Sequence, residues 1–118
     1  MIDIFTEYDP ASLPAPVLGY LDAHDRGRHA DARAAFAPGA TVLDDGRAYR
    51  GIDEIGAWVE RAASEYTYTS TRIGQRVDGD ARAVVQIQLD GDFPGGTVTL
   101  RYQFELEAGL IVRLAIEV

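Results

Sequence analysis

The chain has 118 residues and a mass of 12.9 kDa, with eleven basic side chains against nineteen acidic ones. The resulting net charge of -8 and pI near 4.5 repel phosphate backbones and anionic lipid, so neither nucleic acid nor a membrane is an expected partner. Cysteine, lysine and asparagine are absent, which excludes disulfides, thiolate chemistry, Schiff bases, a P-loop and N-glycosylation.

In chain order, residues 1–12 read as an irregular lead-in punctuated by Asp9-Pro10, with Ser12 as a candidate helix cap. A first helix runs from Pro14 to about Arg26. Val17, Tyr20, Leu21 and His24 follow helical spacing and share an arc, and Gly27 ends the helix. A short alanine-rich helix from His29 to Ala37 stops at Pro38-Gly39. Ala40 to Asp44 reads as a strand, Asp45-Gly46 as a two-residue hairpin turn, and Arg47 to Arg50 as the returning strand. A third helix from Ile52 to about Glu65 is expected to bury Ile52, Ile55, Trp58, Val59 and Ala62, with Asp53 and Glu54 suited to its positive end.

The rest is strand-like. Tyr66 to Val77 is rich in threonine, tyrosine and isoleucine. Arg82 to Leu89 alternates, with Val85, Ile87 and Leu89 on one face. Thr97 to Glu107 alternates with Val98, Leu100, Tyr102, Phe104 and Leu106 on one face. After the Ala108-Gly109 turn, Leu110, Val112, Leu114, Ile116 and Val118 are expected to share a face. Helices segregated from antiparallel strands define an α+β fold in one domain, residues 1–118, with the apolar sheet face covered by helices. No apolar stretch approaches the roughly 18 residues of a membrane span, and residues 1–16 lack the basic start of a secretion signal. A soluble cytoplasmic protein is therefore expected.

Four phrases carry a family resemblance. They are Val17-Leu-Gly-Tyr-Leu-Asp-Ala-His-Asp-Arg-Gly27, then Phe36-Ala-Pro-Gly-Ala-Thr-Val-Leu-Asp-Asp-Gly46, then Tyr49-Arg-Gly51 ahead of Ile55 and Trp58, and finally Phe104-Glu-Leu-Glu-Ala-Gly-Leu-Ile111. In this order they resemble the nuclear-transport-factor-2-like superfamily, and within it the SnoaL-like group. The resemblance implies a cystatin-like α+β barrel, a curved antiparallel sheet wrapped around the helices as a cone with a pocket at its open end. The superfamily includes ketosteroid isomerases, polyketide cyclases, dehydratases, epoxide hydrolases and members without catalysis, so fold alone does not assign an activity.

The ketosteroid-isomerase pattern implies roles for particular residues. Aligning Ala-Thr-Val at 40–42 puts Asp44 where those enzymes hold a base carboxylate. Counting back from Asp25-Arg26-Gly27 puts Tyr20 where they hold an oxyanion-donating tyrosine. Tyr102 stands where they hold a protonated aspartic acid. Asp44 shares a strand face with Val42 and so points toward the pocket, where a carboxylate could accept a carbon-bound proton. The reading favoured by its place before Asp45-Gly46 is that it caps its own hairpin through an Asx-type bond. Tyr20 and His24, one helical turn apart, are either an oxyanion donor with a general acid or base, or amphipathic core residues. Tyr102 is either a pocket donor or a core aromatic. His24 and His29 do not share a helix face, so no metal site is expected.

Tyr66, Tyr68, Ser70 and Arg72 share a strand face whose curvature the sequence leaves open. The Asp90–Gly96 loop is either a plain hairpin connection or a lid carrying Phe93. Inward-facing Val17, Val42, Trp58, Val85, Ile87, Phe104, Leu114 and Ile116 are expected to wall a pocket for a small, apolar, ring-shaped molecule. Trp58, on its helix's buried stripe, also reads as core. The implied chemistry is a proton shuttle beside a carbonyl, of the isomerase or cyclase type, and needs no cofactor. The competing reading is a non-catalytic module that binds a hydrophobic ligand or dimerises. Arg101, Arg113, Glu105 and Glu117 decorate the outer sheet face, through which a homodimer is expected.

Overall fold

The computed structural model describes residues 5–65, 68–91 and 94–118. Tyr66 and Phe93 lie outside them. A single 3₁₀ turn, Pro10–Ser12, precedes α1 (Ala15–Asp25) and α2 (His29–Ala34). Then follow β1 (Phe36–Asp44), β2 (Arg47–Arg50), α3 (Gly51–Glu65), β3 (Tyr68–Asp78), β4 (Arg82–Gly91), β5 (Thr97–Glu107) and β6 (Leu110–Glu117). The six strands form one curved sheet in the order β2-β1-β6-β5-β4-β3. It is an α+β fold, as expected. The sheet is unclosed, with β2 and β3 at its edges, and it is antiparallel except where β1 lies parallel to β6. No helix among the described residues is long and apolar enough to cross a membrane.

Local chemistry accounts for the element ends. Gly27 takes a φ of +68°, so that its N–H reaches the His24 carbonyl and the Arg28 N–H reaches that of Ala23, closing α1. Asp45 and Gly46 both have positive φ, as a tight β1–β2 hairpin requires. Ser12 does not cap α1. Its hydroxyl donates to Asp9 Oδ2 at 2.6 Å, and α1 starts behind Pro14 with no side-chain cap. α2 ends three residues earlier than expected, because Phe36 is already in β1 and pairs with Ile111.

Among the described residues three register shifts interrupt the ladders, one between Phe36 and Thr41 where β1 meets β6, and two more that reset which side chains face inward. Between Arg72 and Gly74 the β3–β4 register slips at Ile73, which faces outward in phase with Thr69 and Thr71, and the slip turns Gln75 inward, where it is 2% exposed. Between Glu105 and Leu106 the β5–β6 register slips, so Leu106 pairs with Ile111. The expectation that Leu110 and Val112 share the buried face of Leu114 is therefore corrected: Ile111 is the buried residue and Val112 is the extra one at the bulge. The core that results joins Val17, Tyr20 and Leu21 of α1 and Ile55, Trp58 and Val59 of α3 to the inner faces of β1 and β4–β6.

Gln75 ties the lead-in to the sheet. Its backbone exchanges hydrogen bonds with Thr6, and its side-chain amide pairs with the backbone of Asp9, accepting at 2.9 Å and donating at 3.0 Å. Gly74 admits this strap, since a Cβ there would lie 2.7 Å from Gln86 Oε1 and 3.3 Å from the Thr6 carbonyl. Gln75→Ala removes both bonds to the Asp9 backbone and takes the partner of its N–H, while the carbonyl keeps the Ser12 N–H at 3.1 Å, and we expect it to cost about 1 kcal/mol in chemical denaturation. Limited proteolysis should then cut within residues 5–12 first.

Candidate functional site

The inner faces of the strands are filled unequally along their length. Toward one end, the helices pack directly on the sheet. Toward the other, the same faces line a cavity of about 570 Å³. Leu89 late in β4, Val98, Leu100 and Tyr102 early in β5, and Ile116 late in β6 form its wall, with Tyr20 and His24 of α1, Trp58 of α3, Tyr68 of β3 and Asp44 and Asp45 at the β1–β2 turn. Of the expected wall, Trp58 and Ile116 line this cavity. Val17, Val42, Val85, Ile87, Phe104 and Leu114 do not: they are 0–4% exposed and belong to the packed core. Alternation identifies the inward face of a strand, whereas depth along the strand depends on where the helices end.

Asp44, Tyr20, His24 and Tyr102 all line the one cavity. Asp44 alternates with buried Val42 and turns inward. Its Oδ2 accepts the indole N–H of Trp58 at 3.0 Å, so the side chain reaches across to α3 and does not cap its own turn. Trp58 is thus both a core ring, 3% exposed, and the anchor of a carboxylate.

Tyr20, 1% exposed, lies among four rings. It stacks on His24 and Trp58 at centroid distances of 6.1 and 6.4 Å, and meets Phe36 and Phe104 edge-on at 5.3 and 6.0 Å. Tyr102, 6% exposed, lies beside Phe104. Among the described residues no hydrogen bond engages the hydroxyl of Tyr20 or Tyr102, and no fully buried side-chain polar atom is left unsatisfied. The two phenols therefore present their polar ends to the cavity. Burial pushes the ionisation of both well above the ordinary phenol range. Their neighbours Tyr68 and Asp44 push the same way, and Tyr102 adds to the shift of Tyr20. Near neutral pH both hold their protons and can donate.

His24 Nε2 lies 2.9 Å from the Tyr68 hydroxyl. Burial lowers the His24 pKa from its ordinary 6.5; Asp25 pulls it back up, while His29 and Arg72 lower it further. Burial, then Asp25 and Asp44, raise that of Tyr68. Beyond this pair, Arg72, whose side chain is 13% exposed, reaches from β3 to Asp22 and Asp25 at 2.9 Å each and to the Tyr8 hydroxyl at 2.7 Å. The Ser70 hydroxyl donates to Asp25 as well. These bonds clamp the last turn of α1 onto β3, and the face carrying Tyr68, Ser70 and Arg72 is the concave one. The sequence left Tyr68 without an assigned role, although its alternation with Ser70 and Arg72 signals a shared face, and it did not place Leu89, Val98 and Leu100 in the wall.

Among the described residues, none that lines the cavity is an arginine, and no group of three histidine, aspartate or glutamate side chains could hold a metal ion.

Residues 17–114 match the model of the SnoaL-like domain. The chain belongs to this SnoaL-like family. Among solved structures it is similar to a candidate polyketide cyclase from Sinorhizobium meliloti, with 34% identity and a TM-score of 0.86 over 93% of this chain and 100% of that one. It shares its fold with a Δ5-3-ketosteroid isomerase from a Mycobacterium species, at 18% identity and a TM-score of 0.73 over 94% of each chain. A Mycobacterium tuberculosis protein in complex with estradiol-17β-hemisuccinate has the same fold at 16% identity, with a TM-score of 0.75 over 94% of this chain and 95% of that one. No curated protein matches the sequence.

The lowered His24 pKa links stability of this SnoaL-like chain to pH. Unfolded, the imidazole gains its proton near 6.5; folded, it does so only at lower pH, so the unfolded state binds more protons in between. The contribution is nil above about pH 7 and turns unfavourable as pH falls through 6.5. We expect the melting temperature of the wild type to fall more between pH 7.5 and 5.5 than that of His24→Gln, by scanning calorimetry.

Proposed function

We propose that this SnoaL-like protein moves a proton at a carbon next to a carbonyl on a mainly apolar, ring-shaped substrate, as an isomerase or a cyclase. One observation carries the reading. A strand-end carboxylate, Asp44, shares a cavity with two buried phenols, Tyr20 and Tyr102, whose hydroxyls lack partners among the described residues. In the proposed reaction the Asp44 carboxylate takes the proton from the α-carbon. The C–H electron pair becomes the C=C bond of an enolate while the carbonyl π pair moves onto oxygen. Tyr20 and Tyr102, protonated at neutral pH, donate hydrogen bonds to that oxygen. In an isomerase, Asp44 returns the proton to the far carbon of the conjugated enolate. In a cyclase, the enolate carbon attacks a second carbonyl and the new alkoxide takes the proton. Either way Asp44 ends as a carboxylate. Tyr102 then does with a phenol what a protonated carboxyl does in the isomerases the sequence resembles.

Leu89, Val98, Leu100 and Ile116 supply the apolar wall, and their number favours a hydrocarbon ring system over a polar one. The second reading, a hydrophobic-ligand carrier without turnover, draws on the Trp58 bond, which already engages one Asp44 oxygen. In the catalytic reading that bond holds the carboxylate in place and leaves its second oxygen free to act.

The two readings diverge on a β,γ-unsaturated cyclic ketone, whose conversion to the conjugated isomer is followed by ultraviolet absorbance. The wild type should convert it, and Asp44→Asn should lower kcat by about 10²–10⁴-fold. The asparagine can still accept from Trp58, so thermal unfolding should be unchanged. Turnover that survives the substitution removes Asp44 from the mechanism. Tight binding of the ketone without any turnover favours the carrier.

A further inference from the structure

Tyr68 and His24 stand outside the proton transfer just described, yet both line the same cavity, and a 2.9 Å hydrogen bond joins them. We propose that Tyr68 is a third phenol donor to the ligand's oxygen, and that His24 is the positioning residue that turns the Tyr68 O–H into the cavity. The inference rests on the reading that the cavity binds an oxygen-bearing ring.

A phenol has one hydrogen to give and lone pairs to receive; a neutral imidazole has one N–H and one bare nitrogen. If Nε2 of His24 is bare, it consumes the Tyr68 hydrogen, and the cavity sees only an acceptor. If Nε2 carries the proton, it donates to the Tyr68 oxygen, and the Tyr68 hydrogen is free to point at a ligand. Tyr20 and Tyr102 already offer donors there, and a developing enolate oxygen accepts several hydrogen bonds. A ligand with such an oxygen therefore selects the arrangement in which Nε2 donates.

The surrounding structure holds His24 for this task. His24 stacks on Tyr20 one helical turn before it, which fixes the plane of the imidazole ring. The next residue, Asp25, is clamped by Arg72 and Ser70 of β3, the strand that carries Tyr68. The two partners are thus gripped on both sides of their shared bond. A Tyr68 that merely filled space would need neither the histidine nor the clamp.

The test compares two probes of one shape, 2-naphthol and 2-methylnaphthalene, by titration calorimetry. Their affinity ratio isolates what the protein does to the oxygen. The wild type should prefer 2-naphthol. Tyr68→Phe should cut that preference by about 5–10-fold, the worth of one hydrogen bond, with 2-methylnaphthalene binding unchanged. His24→Leu should cut it less. His24→Gln, which can still present an N–H, should restore it. In the Tyr68→Phe background His24→Leu should have no further effect. Melting temperatures check that each variant is folded. The proposal is overturned if Tyr68→Phe leaves the preference intact or weakens both probes equally. It is also overturned if His24→Leu acts as strongly without Tyr68 as with it. A preference lost in Tyr20→Phe and Tyr102→Phe but kept in Tyr68→Phe removes Tyr68 and leaves the Asp44 reading standing. A wild type with no preference, or no binding of either probe, removes both.

Discussion

Tyr20 is the residue around which the rest is arranged. Its ring is buried against His24, Phe36, Trp58 and Phe104, so it joins α1, β1, α3 and β5 in one aromatic contact. Large rings in offset or edge-on contact contribute their buried area and a further electrostatic preference for defined angles. The cluster therefore sets where the packed core stops and the cavity begins. With α1 and α3 fixed by Tyr20, the indole of Trp58 is in reach of Asp44, and His24, one turn on, is in reach of Tyr68.

Electrostatics follow from that placement. The cavity collects phenols, an imidazole and carboxylates, with no arginine among the described residues of its lining and no lysine in the chain. Burial holds the phenols protonated and the imidazole neutral. Arg72, which faces His24 from β3, is bonded to Asp22, Asp25 and Tyr8, where it secures the end of α1. The cavity thus offers hydrogen-bond donors without positive charge, which suits a neutral carbonyl that becomes partly anionic during reaction better than a substrate that arrives as an anion.

The order of elements was legible because each has a local cause. Gly27 closes α1, Asp45-Gly46 turns the first hairpin, and the alternation from Thr97 to Glu107 coincides with β5 at both ends. The convergence of Tyr20, His24, Asp44 and Tyr102 was legible from helical spacing, strand parity and the family resemblance. What escaped was set by partners distant in sequence. The bulges at Ile73 and Val112 exist only relative to β4 and β5, and each reverses the parity that alternation predicts, bringing in Gln75 and Ile111. The division of inward aliphatics into core and cavity depends on how far the helices extend over the sheet, which explains why Val42 and Leu114 are core while Leu89 and Leu100 are wall. Tyr68 escaped because its partner, His24, lies 44 residues away.

We propose that Asp44 removes a proton from carbon within this cavity. Hydrogen–deuterium exchange at the α-carbon of a cyclic ketone in heavy water, followed by proton NMR, tests it without requiring the natural substrate. With Asp44 as the base, exchange should be faster than in buffer with the wild-type protein and equal to buffer with Asp44→Asn. Equal acceleration by both proteins, or none by the wild type when NMR shows the ketone bound, would contradict it.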